Sequence, residues 1–294
     1  MRGGRKGNRA PAWFLIPALG LYAFVVVLPS ARGATLALTD WDGLSPTRNF
    51  VGLSNFREML EDPAALGALR QTLIIAVAVT VIQNALGLLL ALGVHSRIKS
   101  RNVLRVFLFA PAVMTPVVTA ALWKYMLAPD GAVNGLIAAL GPDSWRRNWL
   151  GDPTLALWSV IGVIVWQFAG YSMVIFLAGL QSIPQEVHEA AAMDGATGWS
   201  RFRHVVLPLL APAMTINLML SIIGGLKLFD QVWVMTGGGP GTSTETLSTL
   251  IYKNAFQFNE YAYSVALAIV LTVFVAIFSG GQYGLLRRRE RAIR

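Results

Sequence analysis

Long apolar runs alternate with short polar intervals along the whole chain. Six runs, at about 13–31, 71–94, 103–123, 155–180, 208–226 and 263–286, approach or exceed the roughly 20 helical residues needed to cross a bilayer core. Arg105 is the only charged residue inside these windows, and it lies near an end from which its side chain can reach the interface. The pattern therefore predicts an all-α integral membrane protein with six transmembrane helices. Pro17, Pro29, Pro111 and Pro116 fall within or beside the runs and read as kinks rather than breaks, because neighbouring helices can satisfy the carbonyls they free.

The polar intervals have patterns of their own. In Val51–Thr72, Leu53, Phe56, Met59 and Leu60 recur at helical spacing, which predicts an amphipathic helix along the membrane surface before the second span. The stretch "APDGAVNGLIAALGPDSWRRNW" is turn-rich around a short apolar helix, and "VMTGGGPGTSTETLSTLIYKNAF" opens with a sharp glycine–proline turn. Basic residues give an orientation. With both termini inside, the segments 1–12, 95–105, 181–207 and 285–294 hold 15 Lys and Arg in 60 positions, against 9 in 106 outside. "RGGRKGNR" and "LLRRRERAIR" then read as cytoplasmic tails, 1–12 and 287–294. A cleavable leader is the rival reading of residues 1–34, but no small-x-small site follows Val27, so a retained first helix is expected.

Composition agrees and removes several functions. Only 13% of the 294 residues are charged, about half the roughly 25% usual in soluble proteins, and mean hydropathy is +0.56. With no cysteine, disulfides, thiolate metal sites and cysteine nucleophiles are excluded. The net charge of +9 sits at the chain ends and beside apolar runs, which fits membrane topology and not nucleic-acid binding. The spans hold no acid and no histidine, so a proton relay or ion ligand at mid-membrane is missing. Lys227 and Asp230, at an outer span end, read as a pair across one helical turn. No phosphate loop is present either, since the only Lys-Ser, at Lys99, lacks the required glycines. The chain is therefore a passive channel or a subunit driven by another protein.

Neutral polar and aromatic groups do occur in the spans: Gln83, Asn84, Trp166, Gln167, Tyr171, Ser172, Asn217 and Ser221. Such groups suit a neutral polyhydroxylated solute, although singly each also reads as interhelical hydrogen-bonding glue. The cluster Trp166–Ser172 is the stronger candidate for a solute path.

The inner segment 181–207 interrupts the apolar pattern with explicit helix chemistry. Ser182 reads as an N-cap, with Pro184 in the first turn and Gln185 at capping-box spacing. A helix to about Asp194 follows, ended by Gly195. Ala190, Ala191 and Ala192 keep it slim enough for another backbone to approach, and Glu189 is placed to meet a partner's arginine. A second short helix, about Trp199–Val206, leads to Pro208 and Pro212 as a stiff return to the membrane. Such a helix–turn–helix would pass on a push from a docked partner.

One more pattern lies in this segment: Glu189-Ala-Ala, three residues, Gly195, nine residues, then Val205-x-Leu207-Pro208. It resembles the EAA motif of importer permeases of the ATP-binding cassette (ABC) superfamily, with Val205 where isoleucine is usual. "FVGLSNFREML", "LFAPAVMTP", "LAGLQSIPQEVHEAAAMDGAT" and "KLFDQVWVMTGGGPGTSTETLSTLIYKNAF" are similar to carbohydrate-importer permeases, specifically the maltose-transporter F-type subunit family. The resemblance spans about residues 13–286 and implies the type I ABC importer permease fold. It implies that Glu189, Ala190, Ala191, Asp194 and Gly195 form a coupling helix docked on the ATPase. It also implies solute contacts on the fourth and fifth spans, where Tyr171 and Ser221 match in kind. Gly224, Gly225 and Leu228 stand where that relative has bulkier or amide groups, so the particular sugar is not carried over.

The expected function is a non-catalytic permease subunit of a binding-protein-dependent importer, in a bacterial cell (inner) membrane. Its partners by resemblance are a homologous second permease, an ABC ATPase dimer, a solute-binding protein and membrane lipid, with no nucleic acid. The chain binds no cofactor, and ATP and Mg are used by the ATPase. A phosphorylated polyol such as glycerol phosphate is the alternative cargo. A self-sufficient secondary carrier or channel is the alternative class, with the missing mid-membrane acids against its ion-coupled form.

Overall fold

The computed structural model describes residues 12–96 and 100–293, with side chains described from Trp13 to Arg287 outside the gap. The basic stretches 1–11 and 97–99, and the side chains of the C-terminal tail, lie outside the described residues. The architecture is helical. Four helices are long and apolar enough to cross a membrane: α1 (Trp13–Leu36), α3 (Pro63–His95), α7 (Pro153–Gln181) and α13, apolar over Tyr261–Arg287 and helical to Ile293. Two helix pairs are bent: α4 (Arg101–Val113) with α5 (Pro116–Met126) by 97°, and α9 (Gly198–Leu209) with α10 (Ala211–Leu226) by 69°. Shorter helices fill the connections: α2 (Ser54–Glu61), α6 (Ala132–Leu140), α8 (Gln185–Met193), α11 (Asp230–Met235) and α12 (Leu247–Phe256).

The prolines divide into two groups, and the kink-only expectation needs correction. Pro111 lies inside α4 without ending it. Pro116 follows an extended Met114 and Thr115, and Thr115 caps the new helix through Val118 N, so the third apolar run is broken there. The physical reason is that a residue before proline is driven out of the helical region, and Thr-Pro then supplies an N-cap and a preset first turn. Pro29 and Pro208 are absorbed differently. In each case the N–H just before the proline reaches back five residues, Leu28 to Ala23 O and Leu207 to Phe202 O, which widens one turn. The fifth run bends at Leu210, between Pro208 and Pro212, so the return to the membrane is jointed rather than a single stiff rod.

Helix α7 is the axis of the fold. Two thirds of its apolar window is buried (67%), against none of α1. It packs on α3, α4 and α10, and its N-terminal half holds Val160, Ile161, Val163 and Ile164 in one apolar cluster while Met173, Phe176 and Leu177 of its C-terminal half fill another. Small residues permit this closeness. A Cβ on Gly170 would stand 1.9 Å from the Leu108 carbonyl oxygen of α4, and one on Gly225 would stand 2.7 Å from Ala76 Cα of α3. Packing of backbone on backbone is how helices associate without a hydrophobic driving force between them.

Helix α1 has no buried side chain, and its Leu28–Leu36 portion packs against α13. Beyond it, Asn55 of α2 donates to the carbonyls of Ala37 (2.8 Å) and Thr39 (2.9 Å). Asp40 is bonded to Asn49, and Asp42 accepts from Leu44 N, Ser45 N and Ser45 Oγ. These donors hold the Asp40 carboxyl below its ordinary value and that of Asp42 down to about 2. The amphipathic helix before the second span is present as α2, with Leu53 and Leu60 exposed. Asp62 then caps α3, which starts at Pro63, some eight residues before the apolar run, because Asp-Pro gives a strong start signal.

Candidate solute cavity and inner loop

A cavity of about 400 Å³ opens where α3, α7 and α10 meet the bend between α4 and α5. Its polar lining comes from Gln83, Tyr171, Asn217, Ser221 and the run Lys227–Gln231. Behind the lining, buried amides and hydroxyls join three helices. Gln83 Nε2 donates to Ser172 Oγ at 2.8 Å, and Asn84 Nδ2 donates to Ser221 Oγ at 2.8 Å. Ser221 Oγ donates to the Asn217 carbonyl at 2.9 Å, and Asn217 Nδ2 to that of Ser172 at 3.3 Å. The Oδ1 atoms of Asn84 and Asn217 are buried without a hydrogen-bond partner. Asn217 lines the cavity and Asn84 lies behind it, but both Oδ1 atoms are sealed from solvent and carry a desolvation cost within the helix packing.

The residues singled out in the sequence separate here. Tyr171, Ser221, Gly224, Gly225 and Leu228 all line the cavity. Gly224 has open space around it, whereas Gly225 is committed to its contact with α3. Trp166 and Gln167 do not line it. Trp166 packs edge-on against Trp123, with ring centroids 5.3 Å apart. Gln167 is fully buried (0% exposed); it donates to the Met114 carbonyl at 3.0 Å and accepts from Gln231 Nε2 at 3.1 Å. It thereby holds the broken strip of α4 and α5 against the start of α11. Non-helical backbone at membrane depth needs such a partner.

The expected Lys227–Asp230 pair does not form. Among the described residues the ion pairs are Arg57–Glu61, Arg146–Asp143 and Lys253–Glu245. The helix ends at Leu226, so residues three apart are no longer stacked across a turn. Both charges line the cavity instead, together with Phe229 between them and Gln231 beyond, all missed from sequence as lining groups. The signal was present in Gly224-Gly225, which weakens a helix end.

At the C-terminal end of α7 lies the loop 181–207. Ser182 is not an N-cap there. It terminates α7, with its hydroxyl bonded back to Gly179 O at 2.7 Å, and α8 starts after Pro184 without a side-chain cap. The helix stop is as expected. Gly195 has φ +74, Gly195 N donates to Ala192 O at 3.1 Å and Ala196 N to Ala191 O at 2.9 Å, a Schellman closure. Glu189, Ala190, Asp194 and Gly195 are exposed, while Ala191 faces inward at 8% exposure. Two large side chains that sequence reasoning passed over stand in the open: Met193 at 89% and Trp199 at 70% exposure.

The comparisons with known proteins cover most of the chain. Residues 83–291 match the family described as "binding-protein-dependent transport system inner membrane component". A probable ABC transporter permease protein of Pyrococcus horikoshii is 36% identical over 265 residues, 90% of this chain and 91% of that protein. The multiple sugar-binding transport system permease protein MsmF of Streptococcus mutans is 34% identical over 284 residues, 96% of this chain and 97% of that one. In fold, the chain is similar to a subunit in the crystal structure of a bacterial ABC transporter involved in the import of the acidic polysaccharide alginate. The TM-score is 0.82 at 23% identity, covering 94% of this chain and 96% of that one.

Proposed function

The chain belongs to the family of binding-protein-dependent transport system inner membrane components, and we propose that it forms half of the translocation pathway of a sugar importer. It is a multi-pass membrane protein of the ABC importer permease fold. The observation that carries the cargo is the cavity, whose lining joins amides, hydroxyls and aromatic rings with one cation and one anion. That chemistry matches neutral hydroxyls and pyranose faces. The multiple-sugar relative supports the same class. A phosphorylated polyol would call for surplus positive charge, and here Lys227 is offset by Asp230.

In this reading the second half of the pathway comes from a homologous permease, and solute arrives on an extracellular or periplasmic binding protein. ATP, with Mg, is hydrolysed by a separate ATPase dimer, so the chain itself is not an enzyme. Both termini lie in the cytoplasm, which puts 181–207 on the ATPase side. Glu189, Ala190, Asp194 and Gly195 present the docking face, Ala191 sets the helix on its own chain, and Met193 and Trp199 widen the contact. The bend at Leu210 lets a push on α8 and α9 turn α10, and so the cavity wall bearing Asn217 and Ser221.

The test is the double change Glu189→Arg with Gly195→Pro in the assembled importer. Sugar uptake and binding-protein-stimulated ATP hydrolysis are both expected to fall at least tenfold. Survival of both would remove the docking role from this loop.

A further inference from the structure

The junction between α10 and α11 supplies both charged groups of the cavity. Lys227 ends α10 and Asp230 opens α11. Phe229 between them is non-helical, at φ −131 and ψ −61. The junction is held from behind. Thr246 Oγ1 donates to Leu228 O at 3.1 Å, Gln231 is bonded to Gln167, and the Phe229 ring stacks on Trp233 at 5.7 Å and leans on Tyr252 at 5.5 Å. Holding two opposite charges apart in a partly enclosed site forgoes the attraction they would gain by pairing. Such a site is suited to a ligand that satisfies both.

We propose that this junction is a sugar subsite, resting on the importer reading above: the Lys227 ammonium donates to one hydroxyl of a neutral sugar, the Asp230 carboxylate accepts from another, and Phe229 packs on the apolar face of the ring. A vicinal diol offers both donor and acceptor, so it can bridge the two charges without adding charge of its own. Asp230 is half-buried while Lys227 is exposed. Solvent and salt therefore screen the lysine more than the aspartate, and an anionic sugar meets net repulsion. The junction in this way selects neutral over acidic saccharides.

The test uses the full importer with its binding protein in vesicles, offered radiolabelled maltotriose, lactose and raffinose, with digalacturonate as the anionic probe. If the unaltered importer takes up none of the neutral probes, the sugar reading fails and this subsite with it. Given uptake, Lys227→Met and Asp230→Asn are each expected to lower it about tenfold, the scale of one lost hydrogen bond to a charged group. Binding-protein-stimulated ATP hydrolysis should stay within about twofold, since the coupling path is intact. Asp230→Asn should also raise the uptake of digalacturonate relative to the neutral sugar. Unchanged neutral uptake in both variants overturns the subsite and leaves the importer reading standing. Parallel loss of uptake and hydrolysis overturns it too, because the junction would then serve coupling. As the chain has no cysteine of its own, Lys227→Cys gives a second readout: the transported sugar should protect it from a charged thiol reagent, and absence of protection counts against the subsite.

Discussion

Two connectors outside the apolar spans end their helices in contrasting ways. In the orientation proposed above, the outer one, Thr236–Phe256, is braced by its own hydrogen bonds. Glu245, 3% exposed, accepts from Thr249 Oγ1 at 2.6 Å and from Lys253 Nζ. Thr236 and Thr244 share a hydrogen bond at 2.7 Å, and Thr246 caps α12 in a reciprocal box with Thr249. Leu247 N is held by Thr72 of α3 at 2.9 Å. The inner one, 181–209, leaves Met193 and Trp199 in the open and starts α8 with no side-chain cap. The outer connector thus pairs its buried charges internally, although Ser243 Oγ is buried without a partner and Phe256 is 67% exposed at its far end. The inner one holds no ion pair among the described residues and exposes Met193 and Trp199 around its glycine stop, a surface that a partner can cover.

The contrast can be broken at the outer connector first. Glu245→Ala strips Lys253 of its partner in a largely buried place and should cost about 3–5 kcal/mol of stability, seen as a large drop in the melting temperature of the purified protein. A smaller loss would mean that the pair is solvated. Gly238→Ala comes next. Its φ is +91, and a Cβ would stand 2.4 Å from Glu245 Oε2, so strain and displacement of the carboxylate together should cost about 1–3 kcal/mol. Limited proteolysis of the outer loop would report it. Gly195→Ala at the inner connector is the matched control. That glycine has a similar φ of +74 but open space around it, so only the backbone preference is lost, about 1 kcal/mol. Thermal melts of the two alanine variants side by side should therefore differ, and equal losses would deny the outer network its role. Met193→Ser with Trp199→Ala should change stability by no more than about 0.5 kcal/mol. The same change should weaken retention of the ATPase through purification, which a merely decorative surface would not do.

The legible parts of the fold were those set by one-dimensional pattern: apolar runs long enough to span, the glycine stop at Gly195, the short helix inside 132–140 and the glycine–proline turn. What escaped depended on neighbours. Ser182 has the composition of an N-cap, but a proline two residues later delays the helix, and the hydroxyl turned back to finish α7 instead. Lys227 and Asp230 have pairing distance in sequence only if the helix continues, and it stops. Gln167 and Tyr171 lie one turn apart on α7, yet one is buried between two breaks and the other faces the cavity; no periodicity distinguishes them. The break at Thr115-Pro116 was readable as a cap followed by its proline, but a proline in an apolar run reads equally well as a kink.

Helix α1 carries a mechanical consequence. Its outer end is clamped by Asn55 at Ala37 and Thr39, while none of its own residues is buried. Twenty-four residues make a rod of about 36 Å. Tilt in a bilayer is set by packing and by interfacial anchors, and transmembrane helices are tilted by about 20° on average. A rod held at its Leu36 end and tilted by that angle sets Trp13 off to the side by about 12 Å. The first helix is thus fixed near its Leu36 end, and where its Trp13 end lies is set by the surface it meets in the bilayer.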